Sequence, residues 1–422
     1  MKFKKTTLKN GLRILTVPMK NTQTVTVVVM VGAGSRYETE REAGISHFIE
    51  HMFFKGTKKR PSLMAISEEL DAVGGDHNAF TSKDMTAYYA KVDSRHINLA
   101  LDITSDIYLN SLLEEKEINK EKGTILQEIN MYEDLPMRSV GDIFERILYR
   151  PNSLGRDVLG YKKTVSSFHR QNMEDYIKKL YLANNTIVCV AGNFADKKTI
   201  ALVKKYFSGM HKGRKASFAK ISENQKKPKL EIKFKKTDQT HLVIGNRAYH
   251  ENHENRFALA LISIILGGNA SSRIFLEIRE KRGLAYRVST GVEAYEDCGY
   301  VATQAGVDHG KLEEAVKVIL EEYKKIATKK VSIKELQKAK DFIKGKSVMG
   351  LEASDEVAMF FVGQAAKNKK IMTPNEIFAE IDKVTVSDIL RVAKDIFKEK
   401  TLNLAVVGPH KNGKKLEKIL KL

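Results

Sequence analysis

The sequence predicts an α+β fold made of two homologous units. Three observations carry that expectation. First, the second half repeats the order of the first. Val165-Ser166-Ser167-Phe168 leads into a helical stretch and then Asn185–Gly192, while Val384-Thr385-Val386-Ser387-Asp388 leads into another and then Leu402–Gly408. Lysine-bearing helices, Lys197–Phe207 and Lys414–Leu420, follow in each half, and Thr240–Gly245 stands where Thr24–Val31 stands in the first. Self-similarity of this kind signals duplicated units. Second, 422 residues with 42% hydrophobic and 29% charged content suit a globular chain of more than one domain. Third, the polar, lysine-rich stretch Gly209–Lys229 reads as a linker. The expected division is 1–210, a linker at 211–229, and 230–422.

From the start of the chain, Leu8–Ile14 carries an Asn10-Gly11 hairpin turn. Thr24–Val31 is β-branched nearly throughout, as a buried strand should be, and Gly32-Ala33-Gly34 ends it. Gly44–Phe54 reads as a helix, because Ile45, Phe48, Ile49, Met52 and Phe53 recur at the spacing of one buried face. A further helix spans about 62–73 and closes at Gly74-Gly75. Asn78–Thr81 and Thr86–Val92 read as strands. Helices follow at about 93–112, at Glu114–Tyr132 and at Val140–Leu148.

The helix at Gly44–Phe54 also carries chemistry. At about 100° per residue, Glu50 lies roughly 60° to one side of His47 and His51 roughly 40° to the other. Two imidazoles one turn apart can share a metal, with Glu50 beside them to take a proton from water. His47-x-x-Glu50-His51 is the inverted zincin order. The motif alone leaves a second reading open, in which both histidines are ordinary surface residues and Glu50 pairs one of them. A third ligand must come from elsewhere. On the later glutamate-rich helix, Glu121 and Glu128 are two turns apart on one face, framed by Ile125 and Ile129. One carboxylate there can bind metal while the other orients a ligand histidine.

Composition narrows the alternatives. Cys189 and Cys298 stand far apart, which excludes a disulfide framework and a cysteine zinc site and suits a reducing, cytoplasmic setting. No apolar run reaches the ~20 residues a bilayer span needs, so no membrane association is expected. The net charge of +20 invites a nucleic-acid reading, yet the lysines are scattered and no RNP motif, zinc finger or recognition helix is present.

On these residues the chain resembles the pitrilysin family of inverted zinc peptidases, whose smaller members include the mitochondrial processing peptidase subunits and bacterial relatives. His47-x-x-Glu50-His51 with Glu128, Phe54-Lys55-Gly56-Thr57, Asn78-Ala79-Phe80-Thr81 and Asp134-Leu135-Pro136 match its first unit. Leu266-Gly267-Gly268, Ser272-Arg273 and Arg279–Tyr286 match its second. The resemblance implies a mitochondrial processing peptidase-like metallohydrolase fold, each unit a largely antiparallel sheet packed against helices. It implies Zn2+ held by His47, His51 and Glu128, Glu50 as general base, and Glu121 as the carboxylate behind the ligands. Asn78, Ala79 and Phe80 would form the sheet edge that binds extended substrate. Arg279 and Tyr286, from the second unit, would close over it. Arg287 stands where the family usually has serine. The expected activity is endopeptidase cleavage of unfolded peptides or flexible precursor segments by a homodimer. A non-catalytic peptide-binding or scaffold subunit is the alternative.

Overall fold

The computed structural model describes residues 1–367 and 370–422. Among the described residues, eleven strands form two sheets. In chain order they are β1 (Lys4–Thr7), β2 (Arg13–Pro18), β3 (Thr24–Val31), β4 (Asp76–Thr81), β5 (Thr86–Asp93), β6 (Thr186–Gly192), β7 (Lys229–Phe234), β8 (Thr240–Ala248), β9 (Ala285–Ala294), β10 (Gly299–Val307) and β11 (Leu402–Gly408). The first sheet is ordered β1-β2-β6-β3-β5-β4 and the second β7-β11-β8-β10-β9. Without β1, the two orders correspond strand for strand. Each has one parallel pair, β2 with β6 and β7 with β11, and is otherwise antiparallel. The duplication expected from the repeated segments is therefore a duplication of topology.

Eight helices position the sheets and the site: α1 (Ile45–Phe53), α2 (Ile97–Asn110), α3 (Glu115–Asp134), α4 (Pro136–Tyr149), α5 (Arg256–Gly267), α6 (Leu312–Thr328), α7 (Ser354–Lys367) and α8 (Val386–Ile396). Among the described residues, no helix is long and apolar enough to cross a membrane.

The chain divides into two compact units, neither of them contiguous. The first comprises residues 1–129, 156–219 and 348–374; the second comprises 130–155, 220–347 and 375–422. This differs from the contiguous division at 1–210 and 230–422, although the break at Ala219/Lys220 falls inside the expected linker. The reason lies in strand patterning. Successive strand side chains point to opposite faces, so a strand that is apolar at every position needs cover on both. In β3, Val28 and Met30 pack in one core cluster with Val357, Phe361 and Val362 of α7, a helix from the other end of the chain. In the second sheet, Val243, Ala405 and Val407 meet Val140, Phe144 and Ile147 of α4. The alternate residues Leu242, Ile244, Leu404 and Val406 join the larger cluster built by α5, α6 and α8. Each sheet thus takes its second cover from a helix encoded in the other half.

Polar contacts fix α7 in register. Ser354 Oγ lies 2.9 Å from Thr24 Oγ1 and 2.8 Å from Thr26 Oγ1, and Lys91 Nζ is 2.7 Å from Asp355 Oδ1. The fully buried Phe361 also packs against Phe3, their ring centroids 5.1 Å apart. Phe361→Ala should cost about 3–5 kcal/mol through the cavity it leaves. Amide hydrogen exchange should then show lost protection in β2, β3 and β6. Loss confined to β8, β10 and β11 would contradict this assignment of α7.

Candidate metal centre

Helix α1 is set by its buried face and by its start. Ile45, Phe48, Ile49 and Met52 are fully enclosed, and Phe53 stacks on Tyr88 with centroids 5.0 Å apart. Gly44 precedes it at φ 94°, a conformation that L side chains rarely adopt, and a Cβ there would lie 2.5 Å from the carbonyl of Leu159. The first turn's free N–H groups find an internal acceptor: Gly44 N and Ser46 N donate to Glu38 Oε2 and Oε1 at 2.8 and 2.9 Å. The remaining stripe of the helix carries His47, Glu50 and His51.

Helix α3 runs against this stripe. Ile118, Ile125 and Ile129 bury one side of it, and Glu121 shares that burial at 2% exposure. Glu121 and Glu128, both on the first unit, reach the two histidines. His47 Nε2 and His51 Nε2 are 3.2 Å apart, and each is 3.6 Å from Glu128 Oε2. Ligands of a tetrahedral ion at 2.0–2.2 Å stand about 3.4 Å from one another. The three donor atoms therefore already have the spacing of three corners of such a site.

Protonation agrees with that geometry. His51 Nδ1 donates to Glu121 Oε1 at 2.8 Å, which leaves the lone pair of Nε2 facing the cluster. Burial, and then the neighbouring His51, push the His47 pKa down to about 3, so its ring is neutral. Its Nδ1 is buried with no hydrogen-bond partner among the described residues. Burial by itself would raise the Glu121 carboxyl, but the bonds from His51 and from Lys55 Nζ at 2.6 Å outweigh it and hold it below the usual range. Two imidazole lone pairs and a carboxylate oxygen aimed at one point repel one another unless a cation lies between them. The donor set fits a metal ion with nitrogen and oxygen preference.

Glu50 is held from the next strand. Thr81 Oγ1 on β4 donates to Glu50 Oε2. Burial chiefly raises the Glu50 pKa, opposed by that bond and by His51, while the charge of Glu128 pushes the same way as burial. Among the described residues, strand β4 pairs with β5 alone and so forms an edge of the first sheet. On it Asn78 and Phe80 are exposed, Ala79 is half-buried, and Asn78 Oδ1 accepts from Ala79 N at 2.8 Å.

Arg279 and Tyr286 belong to the second unit and are partners of each other. The guanidinium lies 4.6 Å from the Tyr286 ring centroid, and Nη1 donates to the Tyr286 carbonyl at 3.1 Å. Tyr286 is 78% exposed, so it is not the core aromatic that a structural role would make it. Arg287 is exposed and reaches Met137 Sδ at 3.7 Å. Glu38, Thr81 and Lys55 join the site without having been singled out by sequence spacing. Lys55 carried a signal, since it follows His51 by one helical turn on the same stripe. Glu38 acts across a loop and Thr81 across a strand, which no local spacing reveals.

Comparisons with known proteins identify the family and the fold. The sequence model of the insulinase family (peptidase family M16) matches residues 13–162, and that of the peptidase M16 inactive domain matches 167–342. An uncharacterized zinc protease of Bacillus subtilis, YmxG, is 35% identical over 415 residues, covering 97% of this chain and 99% of its own. One from Rickettsia felis is 36% identical over 416 residues, covering 96% and 97%. Among solved structures, a protease from Helicobacter pylori superposes with a TM-score of 0.90 at 24% identity, over 97% of this chain and 99% of its own. A chain of complex III2 from Candida albicans superposes at 0.87 with 18% identity, over 99% and 100%. These two likenesses establish the fold.

The start of α1 is open to a direct test. Burial pushes the Glu38 carboxyl up to about 7, against the pull of the Ser46 and Gly44 N–H groups, from an ordinary value of 4.5. The folded chain therefore holds this proton more tightly than the unfolded one. The stabilisation is complete below pH 4.5 and is lost as pH rises through about 7. Glu38→Gln should flatten that part of the stability profile in chemical denaturation at several pH values. An unchanged slope would contradict the assignment.

Proposed function

We propose that this chain, which belongs to the insulinase-type M16 peptidase family, is a zinc-dependent endopeptidase acting on unfolded peptides or flexible precursor segments. The observation that carries the reading is the convergence of His47 Nε2, His51 Nε2 and Glu128 Oε2, with Glu50 on the same helical stripe. His47, His51 and Glu128 would hold the ion. Bound zinc supplies a Lewis acid that polarises the peptide carbonyl and makes water more acidic.

The chain's own residues do the rest. Glu50 Oε1 takes the proton of the attacking water and returns it to the leaving amine nitrogen, while Thr81 holds Oε2. Glu121 fixes the His51 tautomer, and Lys55 keeps Glu121 ionised. An extended peptide adds alongside β4, taking main-chain hydrogen bonds from an edge that pairs on one side only. Asn78, Ala79 and Phe80 lie on that edge. Such binding demands an unfolded segment, which excludes intact domains as substrates. Arg279 and Tyr286 are assigned to steadying the scissile carbonyl as charge develops on it.

The match to an inactive domain covers 167–342, a stretch without His-x-x-Glu-His, and does not weaken the reading of the first unit. One chain carries both the metal motif and the Arg279/Tyr286 pair, which favours a homodimer over partners that divide them.

Glu50→Gln should keep zinc at one ion per chain and reduce peptide hydrolysis by at least about 10²-fold. Glu121→Gln should weaken zinc binding about 10–100-fold. Metal analysis beside a peptide cleavage assay reads both. A Glu50→Gln variant that cleaves at the wild-type rate would overturn the proposal.

A further inference from the structure

The second unit contains an open cavity of about 880 Å³ lined by the turn after α4, the segment 220–229 and the end of β8. Six of its lining residues are cationic (Arg150, Lys220, Lys226, Lys227, Lys229 and Arg247), and none of the described lining residues is acidic. Arg247 forms the floor at 8% exposure. Its guanidinium donates to the Leu148 carbonyl, and reaches Gln225 Oε1 at 3.4 Å and Glu223 Oε1 at 3.5 Å. Both side-chain contacts are long, and the Glu223 side chain is 43% exposed. Water screens most of what that carboxylate offers.

Lys229 adds a second charge against the same wall, donating to the Ile147 carbonyl at 3.2 Å. Its pKa is lowered by burial and then by the charge of Arg247, the mark of two cations crowded together. Lys226 and Lys227 stand exposed beside it. Scattered lysines on a convex surface are normally solvated and screened. Here they line a concave, partly desolvated surface, where like potentials add and an anion is focused.

We infer that this cavity binds a compact, multiply charged phosphate anion: the triphosphate chain of a nucleotide or a short inorganic polyphosphate. The guanidinium fork of Arg247 suits phosphate oxygens, and the lysines supply point charges along a chain of them. A single carboxylate would neutralise too little of this charge. The site lies wholly within the second unit and uses none of the residues assigned to hydrolysis.

Isothermal titration of the full chain at low salt with sodium tripolyphosphate, ATP and inorganic phosphate tests the inference. Tripolyphosphate should bind one per chain, more tightly than inorganic phosphate, with affinity falling as salt rises. The triple change Lys226→Ala, Lys227→Ala and Lys229→Ala should weaken it at least tenfold. Lys324→Ala with Lys329→Ala, on and just beyond α6, should leave it unchanged. The same binding in His51→Ala shows that the signal does not come from the metal centre, and separates this inference from the peptidase reading. ATP binding tighter than tripolyphosphate identifies the nucleotide as ligand, and equal binding identifies the inorganic chain. No binding, equal loss in the α6 control, or tighter binding of a single-stranded oligonucleotide would overturn the inference.

Discussion

The hydrogen bond from His51 Nδ1 to Glu121 is the contact on which the site depends. It decides which nitrogen of the ring carries the proton, and hence which one presents a lone pair. Glu121 can do this because it is buried and ionised together, a costly combination that Lys55 makes tolerable. The two helices approach because α1 buries five apolar side chains and α3 buries three isoleucines. Packing sets the distance, and the Glu121–His51–Lys55 chain sets the orientation within it. Among the described residues, His47 Nδ1 is buried without a hydrogen-bond partner.

Burial on two sides shapes the architecture as well. Two sheets of one topology each carry apolar residues on both faces, and the chain covers the second face of each with a helix from the opposite half. Neither half of the sequence contains all the side chains that its sheet buries. The two halves of the chain therefore depend on each other for their cores, beyond any role that Arg279 and Tyr286 have in the chemistry.

What could be read from residues alone follows the range of the interaction. The stripe of His47, Glu50 and His51 was legible because helical spacing is a local rule, and Glu121 with Glu128 for the same reason. Their convergence was not, since nothing in the spacing of two helices says that they touch; the family resemblance supplied it. The repeated strands were legible because a β-branched run such as Thr24–Val31 loses side-chain freedom in a helix and packs well in a sheet. The destinations of α4 and α7 were hidden, because an amphipathic helix states that it has a partner without saying which. Glu38 and Thr81 were hidden for the related reason that each reaches the site through a turn of the backbone. The lysines of 220–229 looked like a solvated linker, and only the fold gathers three of them around Arg247 with Lys220 and Arg150 beside them.

The central claim is that His47, His51 and Glu128 meet on one ion. X-ray absorption at the zinc edge of the metal-loaded protein tests it most directly. The account predicts two imidazole nitrogens and oxygen ligands at about 2.0–2.2 Å, with no sulfur. It predicts that His47→Ala removes one imidazole from that shell. A shell containing sulfur or lacking imidazole, or one that His47→Ala leaves unaltered, would contradict it.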